Sequence, residues 1–396
     1  MTNKCIFICA LTACVLAPRG QAATYIFTNI ADNTTPGPIG TLMPSDPAIS
    51  GGVVTFAAQY AGGTLEGVFM GSGGPLTTIA KEGDAAPSGV FTGMGNPSIS
   101  SGRVVFTATY DDGNRGVFLA DGGPLTTIAK TGDAAAVGTF TDFQDALIEN
   151  DIVAFFGRSI SVGGIYLSSG GTLTTIAKTG DLAPNGNPFA AVGRPAQSGG
   201  DVTFRATYGG NNGVFVGNGG PLTTIVKTGD PAPVGTFGGG DSPVIYNGNV
   251  AFRATYGSDE EGIVRGVFIG SGGPIDPIVL TGDPAPVGSF DEIGIPSYVA
   301  DTMVFGAGFG GFHSGVFVRK NGILQPLLTD ADVLFGSNIV IVGSARLDAD
   351  GSGRIAFFYL LFDGRSGIAM ATPVPEPGTI MLLAFGLGCS GLAFWR

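Results

Sequence analysis

The chain has 396 residues, of which 69 are glycine and only 13% are charged, and its formal net charge is −12. That balance excludes nucleic acid as the natural partner, because phosphates call for a basic patch. Short apolar runs between glycine-rich turns point to an all-β chain rather than a helical enzyme. The four cysteines lie at Cys5, Cys9, Cys14 and Cys389, leaving the long middle of the sequence without any. No disulfide framework or thiolate metal site supports the body, so a large core must.

Residues 1–23 have the pattern of a secretory signal. Lys4 supplies the positive start, Cys5 to Ala17 the apolar run, and Gly20-Gln21-Ala22 a small-residue cleavage site. Leu11-Thr12-Ala13-Cys14 resembles a bacterial lipobox, which makes Cys14 a candidate for lipidation. The apolar run before it is short, which favours the ordinary signal.

From there the chain repeats itself. Gly-Val-Phe stands at Gly67, Gly116, Gly213, Gly266 and Gly315, and Gly164-Ile165-Tyr166 fills the gap, so the steps are 49, 48, 49, 53 and 49 residues. One unit reads Arg103–Tyr110, a polar turn, Gly116–Leu119, a Gly-Gly-Pro turn, Leu125–Lys130, Thr131-Gly132-Asp133 and Val137–Phe140. The first run alternates with period two, and the later ones are short and bounded by Gly, Pro or Asp. Four strands in about 50 residues is the size of a propeller blade. The segment around Ser100-Ser101-Gly102 reads as the turn between blades.

The long strand recurs near Val53, Val104, Ile152, Val202, Val250, Val304 and Ile355, giving seven units. The last stops after its second strand, at Gly367-Ile368-Ala369. Thr35-Pro36-Gly37-Pro38-Ile39-Gly40-Thr41-Leu42 matches Asp230–Phe237 position by position, with Phe27 and Ile30 falling on Leu222 and Ile225. The expectation is a seven-bladed β-propeller over residues 24–372. In its closing blade the N-terminus supplies strands three and four and the C-terminus strands one and two, leaving no open edge.

Several residues are candidates for chemistry. Asp84, Asp133, Asp181, Asp230, Asp283 and Asp332 share one repeat position, with Thr35 in the seventh, and read either as an acidic ring for a cation or sugar hydroxyls or as turn-stabilising side chains. Lys81, Lys130, Lys178 and Lys227 sit three residues earlier. Asp348, Asp350 and Ser352 match the start of a calcium loop, but Tyr359 stands where its bidentate carboxylate belongs, so a polar turn is the stronger reading. The fifth unit carries extra length at Ser258–Val264, read as a solvated hairpin tip. His313, the one histidine, reads as a tip residue, and no Gly-x-Ser-x-Gly elbow accompanies it. Gly386–Gly391 satisfies the dinucleotide pattern inside an apolar tail with no strand before it, which makes it a false match.

The chain ends in Val374-Pro375-Glu376-Pro377-Gly378, an apolar run from Thr379 to Trp395, and Arg396. The run is about the minimum that crosses a bilayer as a helix. This ending resembles the PEP-CTERM sorting signal of Gram-negative bacteria, with 373–378 as the motif and 379–396 as a transmembrane sorting helix with a basic end. Where the family shows several arginines, this chain has one. The resemblance implies processing by an exosortase during export, transient anchoring in the inner membrane, and a final place in the cell envelope or extracellular matrix, often beside exopolysaccharide. The expected function is therefore a non-catalytic binding or structural scaffold without a required cofactor, with exopolysaccharide as ligand. The alternatives are an extracellular carbohydrate-active enzyme on the same propeller, or a surface protein specialised for ice or calcium.

Overall fold

The computed structural model describes residues 25–374 apart from Asp112 and residues 259–261. The expected secretory signal at 1–23, the expected motif from Pro375 onward and the expected sorting helix with Arg396 lie outside the described residues. Among those described, no helix is long and apolar enough to cross a membrane.

Ile26–Pro373 forms one compact unit of seven antiparallel sheets. Blade 1 runs inner to outer through Met43–Ser50, Val53–Tyr60, Leu65–Gly71 and Thr77–Lys81. Blades 2 to 6 repeat this order, beginning at Phe91, Asp142, Phe189, Phe237 and Phe290. The inner strands touch one another in sequence around a central axis, and the last, Ser337–Leu347, meets the first, Met43–Ser50. The architecture is a seven-bladed propeller.

The recurrent Gly-Val-Phe has a packing cause. Phe118 turns its ring back over Gly116, where a Cβ would stand 2.8 Å from the ring edge. The ring then receives Phe91, the first residue of the inner strand, edge to face at 5.1 Å. The same contact recurs as Phe140–Tyr166, Phe189–Phe215, Phe237–Phe268 and Phe290–Phe317, at 4.9 to 5.1 Å. Such edge-to-face pairs add about 1 kcal/mol beyond their burial. The intervening valine is fully buried on the opposite face. Each core cluster accordingly lies between blades: Val105 and Val117 of blade 2 pack with Phe143, Ile148 and Phe155 of blade 3.

Two expectations need correcting. The blade is framed one strand later than the repeat suggests. Val137–Phe140 does not close its own unit; the Asp133 turn carries the chain across to blade 3, whose inner strand follows at Asp142–Glu149. Ser100-Ser101-Gly102 is correspondingly a hairpin turn inside blade 2. The inner strand escapes a period-two reading because each one is bulged or broken. Asp46, Asp145, Arg194, Ser242 and Ser344 sit there at φ of 45° to 51°, and Pro97 and Pro296 interrupt blades 2 and 6.

The closing blade is the other correction. It takes three long strands from the C-terminal side, Ser337–Leu347, Ile355–Leu361 and Ser366–Pro373, with the two-residue Val333–Leu334 paired to the first of them, and one, Tyr25–Asp32, from the N-terminal side. The split is three and one, because Thr35–Leu42 is the crossing to blade 1, with Pro36 bridging Thr41 as Pro231 bridges Thr236. The ends do share a single sheet, as expected.

Polar contacts stitch neighbouring blades where the inner strands end. The Ser50 hydroxyl accepts from Ser101 N–H at 3.1 Å, Ser100 from Asn150 at 3.3 Å, and the Glu149 carboxylate from Gly199 at 3.0 Å. At the seam, Asp32 is buried and accepts from Asn29 Nδ2 at 2.8 Å, Thr34 N–H at 2.8 Å and the Tyr359 hydroxyl at 3.3 Å. Burial pushes its carboxyl up, but hydrogen bonds from Thr34, Asn29 and Tyr359 outweigh that and hold it below the usual carboxylate range. A depressed folded pKa gives stability that is complete above about pH 4 and is lost as the pH falls below it. Asp32→Asn is therefore expected to lower the urea midpoint at pH 7 by an amount equivalent to about 2 kcal/mol. The gap from wild type should narrow at pH 3; an equal gap at both values would refute this account of the seam.

Candidate functional site

The six repeat-position aspartates serve their own turns. Asp133 accepts the Lys130 N–H at 2.9 Å, and Asp84, Asp181, Asp230, Asp283 and Asp332 each take the N–H three residues back at 2.8 to 3.0 Å. In the seventh place the Thr35 hydroxyl accepts from Asp32 N–H at 2.9 Å, doing the same work without a charge. The four lysines pair with their aspartates at the surface, where an ion pair adds little.

The predicted calcium loop is likewise occupied by protein groups. Asp348 is buried and accepts from the N–H groups of Gly51 at 2.9 Å and Gly52 at 2.7 Å, across the seam in blade 1. Asp350 accepts from Ser352 N–H at 2.7 Å, and the Arg354 guanidinium lies 3.1 Å from Asp350 and 3.7 Å from Asp348. Among the described residues no three metal-ligating side chains converge. His313 opens the third strand of blade 6, His313–Lys320, instead of occupying a free tip; it stacks on Phe309 and its Nδ1 meets Asp330 at 3.0 Å. Of the extra length in blade 5, residues 259–261 lie outside the described set.

Two concavities bring functional side chains together. The first is the central channel, about 370 Å³, walled by the seven inner strands. Arg346 projects there from the blade 7 bulge, donating from Nη1 to the Ala345 carbonyl at 3.1 Å and making no ion pair among the described residues. Burial pulls its guanidinium below the usual arginine range, and the Asp46 charge opposes this. Asp145 is pushed up by burial, against the charge of Arg194. Ser242, 5% exposed, leaves its hydroxyl without a partner, as does the Gln197 side-chain oxygen.

The second is a pocket of about 360 Å³ between blades 4, 5 and 6. Its chemistry comes from positions where the repeat departs from itself. Opposite the Val or Ile of each third strand, five blades carry Ala57, Thr107, Phe156, Gly306 and Phe358, whereas blades 4 and 5 carry Arg205 and Arg253. Asp241 on the inner strand lies 3.2 Å from Arg253 and 3.8 Å from Arg205. Burial raises its carboxyl, but the Ser242 N–H and the two guanidiniums outweigh that and hold it below the usual carboxylate range. Arg265 and Glu292 complete the charged lining, which Gly238, Gly239 and Gly240 also border. A Cβ on Gly240 would stand 2.7 Å from Val214 and 2.8 Å from Val226, so only glycine lets the blades approach there.

None of these pocket residues stood out when the sequence was read for what recurs. Aligning the units on Gly-Val-Phe and looking for the positions that differ exposes Arg205 and Arg253 directly.

The class of protein is thus a seven-bladed β-propeller whose two ends share one sheet. The chain belongs to DUF7453, a family of unknown function, whose model matches residues 14–155 and 152–339. No curated protein matches it in sequence. Among solved structures it is similar to the β-propeller domain of the Trilobed protease from Pyrococcus furiosus, described as having an open velcro topology. That likeness has a TM-score of 0.56 at 10% identity, over 85% of this chain and 98% of that one. A prolyl endopeptidase, from a structural and mechanistic analysis of two such enzymes, gives 0.52 at 14% identity, over 85% of this chain and 51% of that one. Acylaminoacyl peptidase from Pyrococcus horikoshii gives 0.50 at 8%, over 87% and 54%. At such identities the likeness is one of fold, and this chain spans about half the length of the peptidases.

Because Asp133 acts through its turn, Asp133→Ala is expected to destabilise the protein by about 1 kcal/mol, read from the urea midpoint. Asp133→Asn keeps an acceptor and should cost less than half of that.

Proposed function

We propose that this chain is an exported protein of the cell envelope or matrix, sorted by an exosortase, whose propeller is a non-catalytic scaffold that binds exopolysaccharide. The secretory pattern of residues 1–23 and the Val374-Pro375-Glu376-Pro377 ending support the address. The observation that carries the binding role is the departure of blades 4 and 5 from the repeat, which builds a polar pocket of about 360 Å³ in a regular ring. A concavity with a few convergent polar groups is the default ligand site. Asp241 is held ionised by Arg205 and Arg253, which suits a structural carboxylate and not a general acid. His313 meets Asp330 through Nδ1, and no hydroxyl among the described residues bonds its other nitrogen, so a Ser-His-Asp relay has no support there.

One observation favours a carbohydrate-active enzyme instead. The Asp145 carboxyl, raised by burial, borders both the channel and a pocket between blades 1 to 3, and a raised carboxyl is what glycoside hydrolysis asks of its acid. Incubating the purified protein with the host's own exopolysaccharide and a glycan panel, with calcium and with chelator, separates the two. The expected outcome is saturable retention with no new reducing ends. Reducing ends that disappear in Asp145→Asn would transfer the assignment to the enzyme, and retention lost only in chelator would make calcium part of the site.

A further inference from the structure

Resting on the scaffold reading, we infer that the pocket between blades 4, 5 and 6 is a carboxylate site that recognises an acidic sugar residue of the polysaccharide. The charge inside it does not close on itself. Arg205, Arg253 and Arg265 bring three positive charges, Asp241 and Glu292 two negative ones, so one positive charge is left over. That surplus lies in a chain whose net charge is −12.

The surplus has an address. Asp241 is shared between Arg205 and Arg253, but the Arg253 Nε is buried and has no acceptor. A buried guanidinium N–H without a partner is costly, and a ligand oxygen would recover that cost. Arg265 makes no ion pair and no side-chain hydrogen bond among the described residues, although its backbone N–H is fixed by Thr281 Oγ1 at 3.0 Å. Two guanidiniums with vacant donors on one pocket wall ask for an acceptor with more than one oxygen.

The shape of the wall selects among such acceptors. Gly238 and Gly239 fall where the inner strand leaves the ladder, between the Phe237–Tyr256 and Gly240–Ala254 pairs. The glycines bring no side chain of their own, and none would fit: a Cβ on Gly238 would come 2.8 Å from Thr255 Oγ1, and on Gly239 2.7 Å from the Asn212 Cβ. A guanidinium matches a carboxylate fork to fork, so a flat, singly charged group suits Arg253 and Arg265 beside this narrow glycine segment. The volume of about 360 Å³ is at the small end for ligand pockets, suited to one or two sugar units and not to a long segment of chain.

The test is calorimetric titration of the purified protein with trigalacturonate, with the neutral galactose trisaccharide, and with inorganic phosphate and sulfate, at low and high salt. Trigalacturonate should bind saturably, at least tenfold tighter than the neutral sugar, and more weakly at high salt. Arg265→Ala should lower that affinity about tenfold and Arg265→Lys by less; Arg265 is exposed and holds no structural ion pair, so both variants should keep the wild-type urea midpoint. Equal affinity for the neutral sugar, or an unchanged Arg265→Ala, would overturn the carboxylate site. Arg265-dependent binding of phosphate or sulfate without trigalacturonate would overturn it too, in favour of a tetrahedral anion. If the host polysaccharide is retained equally by wild type and Arg265→Ala, the site fails while the scaffold reading stands. If wild type retains neither polysaccharide nor trigalacturonate, both fail.

Discussion

The ladder between Tyr25–Asp32 and Ser366–Pro373 is the contact on which the whole ring depends. An isolated four-stranded blade has two apolar faces and can hide neither alone. Each blade hides them against its neighbours, so the arrangement is complete only when the last blade meets the first. The cluster at the seam shows what is at stake: Ile30, Ala31, Ile368 and Met370 of blade 7 pack with Val54, Phe56 and Tyr60 of blade 1. Without the N-terminal strand, blade 7 would lose its outer edge and blade 1 part of its cover.

Carboxylates join neighbouring blades at the seam and between blades 3 and 4, and hydroxyls join blades 1, 2 and 3. Ser50 and Ser100 hold their neighbours through neutral hydrogen bonds, while Asp348 takes two N–H groups from blade 1 with a buried carboxylate. Hydrogen bonds to an ionised group are roughly twice as strong as neutral ones. Asp348 puts the stronger device between the last blade and the first, and Asp32 does comparable work inside the closing blade, where the N-terminal strand joins the C-terminal ones.

Much of this architecture was legible in the residues, and the parts that were not have physical reasons. Gly-Val-Phe recurs because an aromatic ring folds over a glycine in six of the seven blades, so the period announced itself. The shared blade could be found by laying Thr35–Leu42 on Asp230–Phe237. The inner strands could not: a Pro at 97 and at 296, and positive φ at Asp46, Asp145 and Arg194, erase the alternation by which strands are recognised. Missing them moved the blade frame by one strand and turned a three-and-one closure into a two-and-two. The pocket was hidden for the opposite reason. Repetition draws attention to what is constant, such as the turn aspartates, whereas Arg205 and Arg253 matter because their counterparts in the other blades are Ala, Thr, Phe or Gly.

The three-and-one closure also has a mechanical meaning. Asn33 N–H donates to the Ser366 carbonyl at 2.9 Å, so the strand ending at Asp32 runs against the one beginning at Ser366. Ser366–Pro373 is therefore gripped on both sides, by Ile355–Leu361 and by Tyr25–Asp32. A pull on its C-terminal end along the strand loads two ladders in shear, with many bonds resisting together. Had the chain's last strand been the outer one, a single ladder would bear the load and could peel from its end. The seam that closes the ring is thus also the part of it best built to bear load along the chain.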